Sequence, residues 1–390
     1  MTAPTWCTKA RAISKSSRPQ CRTCWRPSTE SSNAKWKSPP SGRSPTRAEI
    51  TLAYLSAVSA YIPDGTDTAG RPRHLSRRPA DMLSVHQMVE LAAAQLDPQL
   101  LSAAGASMAA SFHCGTLYQG EHFWPLQNSI QQSLLGQITA GAATELRQFC
   151  SGGLYGLMLA DALLDKGWAG DYAMVTGGDS FHYFDRYDYA ASPVTEGSLM
   201  GDSAFCAILN RNNGFAQIVS SAARSHNPSA DMMRSRADRG RDDPAFPGLD
   251  NWIARFEQYD RQSGGSVAAN AMASFRTAIA VIIECYRRAE RDPDEIAWFA
   301  PSFIGPRRIT EALARESGLR PTPGLHEFAE QFGHLTVTDF GLNLAYLMNG
   351  KLAKVGDLVL LFSAGNFVNC AAVLIRIEKE VVLPLNATAQ

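Results

Sequence analysis

The sequence predicts a layered α/β protein in which at least one helix is buried between layers, and three observations carry that prediction. Two short apolar runs, DYAMVTGGDSF (171–181) and GDLVLLFSAG (356–365), end in glycine or serine, as fully buried strands do where their C-terminal ends open into loops. A third segment, LYGLMLADALL (154–164), is apolar on nearly every face, and a helix of that kind has to sit between layers. With 390 residues, 45% of them hydrophobic, the chain can bury one large core or two similar ones.

Residues 1–49 differ in character from the rest of the chain. They are rich in Ser, Pro, Lys and Arg, hold only Glu30 and Glu49 as acids and show no apolar period, which predicts disorder. A transit peptide, a basic arm and a stretch translated from an upstream start all fit this composition. Cys21 and Cys24 form a CxxC without a second pair or a following His, a weak zinc signal. The character changes at Ile50, where ITLAYLSAVSAYIPDG reads as a strand entering a Pro-Asp-Gly turn, so the folded part is expected to begin there.

Further along, HCGTLYQGEH places His113, Cys114 and His122 close together, but their spacing fits no standard zinc pattern, so the loop is expected at most to line a substrate entrance. His182 follows the 171–181 run and is an accessory candidate at a strand end, or a packing residue. The charged stretch from about 221 to 270 reads as an exposed excursion between two halves, with Arg234, Arg236, Arg239 and Arg241 as candidates for a carrier-protein surface or simply a solvated loop. A second helix is predicted over 340–348, entered through Thr338-Asp339 and left through Asn349-Gly350.

Acidic and basic residues balance at 37 each, so no overall field favours nucleic acid or an anionic membrane, and the expected partners are small molecules or proteins. No stretch approaches the roughly 20 continuous apolar residues of a membrane span, and the N-terminus lacks the apolar core of a secretory signal, which predicts a cytoplasmic protein. Eight cysteines are dispersed along the chain, unlike a disulfide-stapled domain, and are expected to be reduced.

Cys150 is the candidate nucleophile. It stands just before the buried helix, whose positive dipole end favours an anionic sulfur, and Gly152 and Gly153 let backbone N–H groups and a substrate approach. Read alone, the pattern also fits an inert buried thiol.

Several segments, in the correct order, resemble the ketoacyl synthase III branch of the thiolase-like superfamily. ELRQFCSGGLYGLMLADALL is similar to its nucleophile segment, VTGGDSF to the strand that comes next, and GDSAFCAIL (201–209) to its GDGA-type strand. DPDEIAWFAPSFIG (292–305) resembles the segment that holds its Pro-His-Gln-Ala-Asn motif, and 332–367 its asparagine motif and final glycine-rich strand. The resemblance covers roughly residues 50–380 and implies a five-layered thiolase-like fold. Two αβαβα halves, 50–220 and 221–390, would be related by pseudo-two-fold symmetry. It also implies a homodimer, with acyl-CoA or acyl carrier protein as substrate and neither a bound cofactor nor a metal.

Two departures qualify the resemblance. Where the family has its catalytic histidine this chain reads Pro301-Ser302-Phe303, and where it has its asparagine the chain reads Phe332-Gly333-His334. Divergent members from antibiotic and polyketide pathways carry a similar Gly-His-x4-Asp motif, here Gly333, His334 and Asp339, and are associated with acyl transfer. The resemblance thus implies Cys150 as acyl carrier, His334 as acid–base group and Asp339 as its orienting partner. It also implies backbone N–H groups of Cys150 and Gly365 as oxyanion donors, with Ser302 a further polar contact. Asp339 also fits a plain helix N-cap. A decarboxylating condensing enzyme and a non-catalytic synthase-like partner subunit are the alternative functions.

Overall fold

The computed structural model describes residues 52–65, 75, 83–119, 123–136, 141–181, 199–233, 256, 259–261, 266–303, 305–366 and 368–386. The expectations for residues 1–49, His122, His182, Arg234, Arg236, Arg239 and Arg241 lie outside the described residues.

Nine strands form one mixed sheet: β1 (Tyr54–Tyr61), β2 (Met108–Cys114), β3 (Ala142–Leu146), β4 (Tyr172–Asp179), β5 (Ser203–Asn210), β6 (Ala216–Ser225), β7 (Ile296–Pro301), β8 (Leu358–Gly365) and β9 (Asn369–Ile377). Their order is β3-β2-β4-β5-β1-β6-β9-β8-β7. Strand β1 pairs with β5 along its length but with β6 only through Tyr54–Gln217 and Leu55–Ala216, so two units meet at a narrow seam. Each unit repeats one pattern. In the first, β2 and β4 are parallel while β4–β5 and β5–β1 are antiparallel. In the second, β7 and β8 are parallel while β8–β9 and β9–β6 are antiparallel. The second unit therefore starts at Ala216, and the expected division after residue 220 cuts through β6. Residues 221–225, expected in an exposed excursion, are strand paired with β9.

Helices α1 (Val85–Ala93), α2 (Pro98–Ala106) and α3 (Leu126–Leu135) cover the first unit, and α4 (Gly152–Asp165) comes after β3. Helices α5 (Val267–Arg288) and α6 (Arg307–Glu316) serve the second unit, succeeded by the short α7 (Leu325–Glu330) and by α8 (Asp339–Asn349). Both α4 and α8 touch strands of both units, which makes them the shared middle layer between the two sheet halves. The apolar-all-round sequence of α4 requires such a place. Gly153 is what lets it close in, because a Cβ there would lie 2.5 Å from Val337 O. At its far end the Arg211 guanidinium donates to the carbonyl of Leu164 in the last turn of the helix and to those of Trp168 and Gly170 in the turn that comes after it.

Helix α5 is long and apolar enough, by length and composition, to cross a membrane, although the sequence holds no continuous apolar run of that length. One face of it, Ala278, Val281, Ile282 and Cys285, packs on the second unit, and its Glu284 accepts from Arg224 Nε of β6 at 2.7 Å. His113 and Cys114, expected in an entrance loop, instead end β2, a strand buried along its whole length. Burial, with the nearby His86 adding to it, pushes the His113 ring down to about 3, and burial pushes the Cys114 thiol up. The ring's Nδ1 lies 3.0 Å from Thr176 Oγ1.

Candidate active site

Cys150 is the middle residue of a 3-10 turn, Phe149–Ser151, that runs into α4. The turn opens on Phe149 at φ 52°, a left-handed conformation that a bulky residue holds only when its surroundings enforce it. The end of β8 supplies that enforcement. Ser363 Oγ donates to Cys150 O at 2.9 Å. Gly365 presses on the same turn, and a Cβ there would lie 2.7 Å from Gln148 O and 2.9 Å from Phe149 Cβ. From β9, Asn369 Nδ2 donates to Gln148 Oε1 at 2.7 Å.

His334 comes from the other unit. It is preceded by Gly333, which takes φ 72° and whose missing side chain avoids Leu199 O. His334 N donates to Leu199 O at 2.7 Å and Gly201 N donates to His334 O at 2.9 Å, so the backbone is clamped to the segment entering β5. The ring then bridges two groups. Its Nε2 lies 3.0 Å from Cys150 Sγ, and its Nδ1 donates to Asp339 Oδ2 at 2.7 Å. Asp339 is the first residue of α8, and its carboxylate also accepts Leu335 N at 2.8 Å and Phe303 N at 3.0 Å. The N-cap position belongs to Thr338 instead, so the plain capping role for Asp339 does not hold.

All three side chains are buried, with exposures of 8% for Cys150, 4% for His334 and 1% for Asp339. Burial by itself would push the His334 imidazolium down. The charges of Cys150 and Asp339 and the hydrogen bonds from both outweigh it, holding the ring well above its ordinary value of 6.5. An imidazole placed between the Cys150 sulfur and the Asp339 carboxylate can give a proton to a leaving thiolate and, once the sulfur is acylated, accept one from an incoming nucleophile.

The structure thus brings Cys150, His334 and Asp339 together and sets Gly365 against the Cys150 turn. Ser302 does not join them. It is buried, its N–H donates to Phe362 O at 2.7 Å, and among the described residues its hydroxyl makes no hydrogen bond to the three. The segment contributes the backbone N–H of Phe303 instead. Sequence reasoning missed Ser363, which bonds the Cys150 turn, and Asp179, which bonds the turn after His334. A carboxylate at the C-terminal end of the 172–179 strand, which is buried from Ala173 onward, is the signal that points to Asp179.

A family model described as 3-oxoacyl-(acyl-carrier-protein) synthase III matches residues 144–227, and one for the C-terminal part of the same enzymes matches 286–377. The first spans the Cys150 turn and the second spans His334 and Asp339. Over these two stretches the chain is similar to ketoacyl synthase III. Among its relatives, the beta-ketoacyl-(acyl-carrier-protein) synthase III of Bartonella bacilliformis is 28% identical over 251 residues, covering 63% of this chain and 70% of the relative. That of a Roseiflexus species is 27% identical over 235 residues, covering 60% and 67%. Among solved structures, ChlB3, described as an acyltransferase, superposes on this ketoacyl synthase III-like chain with a TM-score of 0.67 at 22% identity, covering 84% of this chain and 98% of ChlB3. The 3-oxoacyl-(acyl carrier protein) synthase III of Pseudomonas aeruginosa superposes with a TM-score of 0.62 at 19% identity, covering 85% and 99%. These superpositions show the five-layered thiolase-like fold.

Proposed function

We propose that this ketoacyl synthase III-like protein is an acyltransferase that takes an acyl group from CoA or an acyl carrier protein as a Cys150 thioester. It then delivers the group to a hydroxyl, amine or carrier thiol in polyketide-type secondary metabolism. The observation that carries this reading is the unbroken contact from Cys150 through His334 to Asp339.

In the first half-reaction the Cys150 sulfur attacks the donor's thioester carbonyl, and the carbonyl electron pair moves onto oxygen, facing the backbone N–H groups of Cys150 and Gly365. Collapse expels the donor thiolate, which takes the proton from His334. Acylation removes the Cys150 sulfur as a charge partner, one of the causes that holds the His334 proton, so the ring gives that proton up more readily and is neutral when the acceptor arrives. In the second half-reaction neutral His334 takes the acceptor's proton, the acceptor attacks the Cys150 thioester, and the sulfur leaves beside the re-formed imidazolium. Asp339, fixed by Leu335 N and Phe303 N, keeps the ring in one orientation throughout.

Ser302 in the place of the family histidine supports transfer over decarboxylation, as does the likeness to ChlB3. The matched synthases support the alternative, a condensing enzyme that starts chains with His334 in the missing histidine's role. Incubation with acyl-CoA, malonyl carrier protein and a hydroxyl or amine acceptor separates the two. Acyl transfer without carbon dioxide is the expected result, and donor-dependent release of carbon dioxide would overturn it.

A further inference from the structure

The turn that carries His334 is held by a group other than Cys150, His334 and Asp339 themselves. Thr336, two residues beyond His334, opens a 3-10 turn (Thr336–Thr338) at φ 53°, a region that a β-branched residue rarely occupies. Its hydroxyl donates to Asp179 Oδ2 at 2.6 Å, and both side chains are buried. Asp179 ends β4. Its carboxylate also accepts Thr116 N at 2.8 and 3.1 Å, Leu117 N at 3.0 Å and Gln119 Nε2 at 3.4 Å, so it is fixed by the loop after β2. One carboxylate of the first unit therefore holds the His334 turn of the second.

We propose that Asp179, acting through the Thr336 hydroxyl, is a positioning residue for His334. It holds Thr336 in the left-handed conformation that keeps Nε2 at 3.0 Å from the Cys150 sulfur while Nδ1 stays on Asp339. The reasoning is geometric. Leu335 lies between the two tethers: its N–H donates to Asp339 and its carbonyl accepts from Ser203 Oγ at 3.3 Å. Relaxing Thr336 to a negative φ would turn the peptide that joins it to Leu335 and pull against both bonds. Among the described residues, the charged or titratable groups that face His334 are Cys150 and Asp339, and Asp179 faces Cys114. The proposal rests on His334 as the acid–base group of the proposed transfer.

The test is the pH titration of the His334 ring, monitored by NMR on protein with nitrogen-15-labelled histidine, in wild type and in Thr336→Val, Thr336→Ser and Thr336→Gly. Thr336→Val removes the hydroxyl at nearly constant shape, and the proton affinity of the His334 ring is expected to fall about tenfold, the scale of losing one buried hydrogen bond. Thr336→Ser keeps the hydroxyl and is expected to titrate like wild type. Thr336→Gly removes the hydroxyl and, without the tether, takes a negative φ as readily as a positive one, so the proton affinity of the His334 ring is expected to fall there too, even if the valine variant fails to fold. A His334 titration unchanged in the valine or glycine variant overturns the proposal. A wild-type ring that titrates at or below 6.5 overturns the reading of His334 instead, so the two failures are distinguishable.

Discussion

The turn that enters α4 and the turn that enters α8 open on nearly the same φ, 52° at Phe149 and 53° at Thr336, yet they would carry different parts of the proposed chemistry. The first presents a thiol with two glycines close behind it, and the second comes just after a histidine and runs directly into an aspartate. Each turn is braced by the other unit. The end of β8 holds the Cys150 turn through Ser363 and Gly365, while the end of β4 holds the His334 turn through Asp179. Strands β4 and β8 occupy the same place in the repeated pattern, so the two braces are counterparts. The lesson is that a 3.0 Å contact between groups 184 residues apart is set by crossed supports rather than by either unit alone.

The most severe way to break this arrangement is to remove the group that spans the two turns. His334→Ala is expected to lower acyl transfer by about 10²–10⁴-fold, the usual scale for a positioned acid–base group, measured as acylated acceptor formed per minute at saturating donor. Next comes the brace on the Cys150 side. Gly365→Ala places a Cβ against Gln148 O and Phe149 Cβ and is expected to cost about 1–3 kcal/mol of stability in thermal or urea unfolding, with loss of transfer.

A smaller effect separates the two described histidines that are most deeply buried. The His334 ring holds its proton more tightly folded than unfolded. It therefore adds stability that is complete below 6.5 and is lost as pH rises through its folded value. The His113 ring, pushed down to about 3, behaves oppositely. The unfolded chain binds its proton first as pH falls below 6.5, so the folded state loses about 1.4 kcal/mol per pH unit there. Urea unfolding of wild type and His113→Leu at pH 6.5, 5.5 and 4.5 is expected to show a shallower acid limb in the variant.

Much of this architecture was legible in the sequence where a local pattern sufficed. The apolar-all-round stretch at 154–164 became α4, extended by Gly152, Gly153 and Asp165, and 340–348 became α8. Cys150, His334 and Asp339 were reached through ordered resemblance, since no local spacing joins residues so far apart. The failures have physical reasons. MAASFHC is a strand buried on both faces, so it lacks the alternation that marks a half-exposed strand, and its histidine drew the reading toward a loop. AQIVSSAARS changes character midway, which placed the division inside β6. Ser302 stands where the resemblance implies the family histidine, but it is the backbone at Phe303 that contacts Asp339, and backbone contacts leave no mark on residue type. Asp179 and Thr336 acquire meaning only when the two units close on each other.

The central claim is that Cys150 carries the acyl group under the control of His334. Its most direct measurement is mass spectrometry of the Cys150 peptide after brief exposure to an isotope-labelled acyl-CoA or acyl carrier protein, with His334→Ala alongside. Labelled mass on Cys150 that is chased off by acceptor in wild type, and formed far more slowly in the variant, is the predicted result. A wild-type protein that binds the donor yet leaves the Cys150 peptide unlabelled would contradict the account.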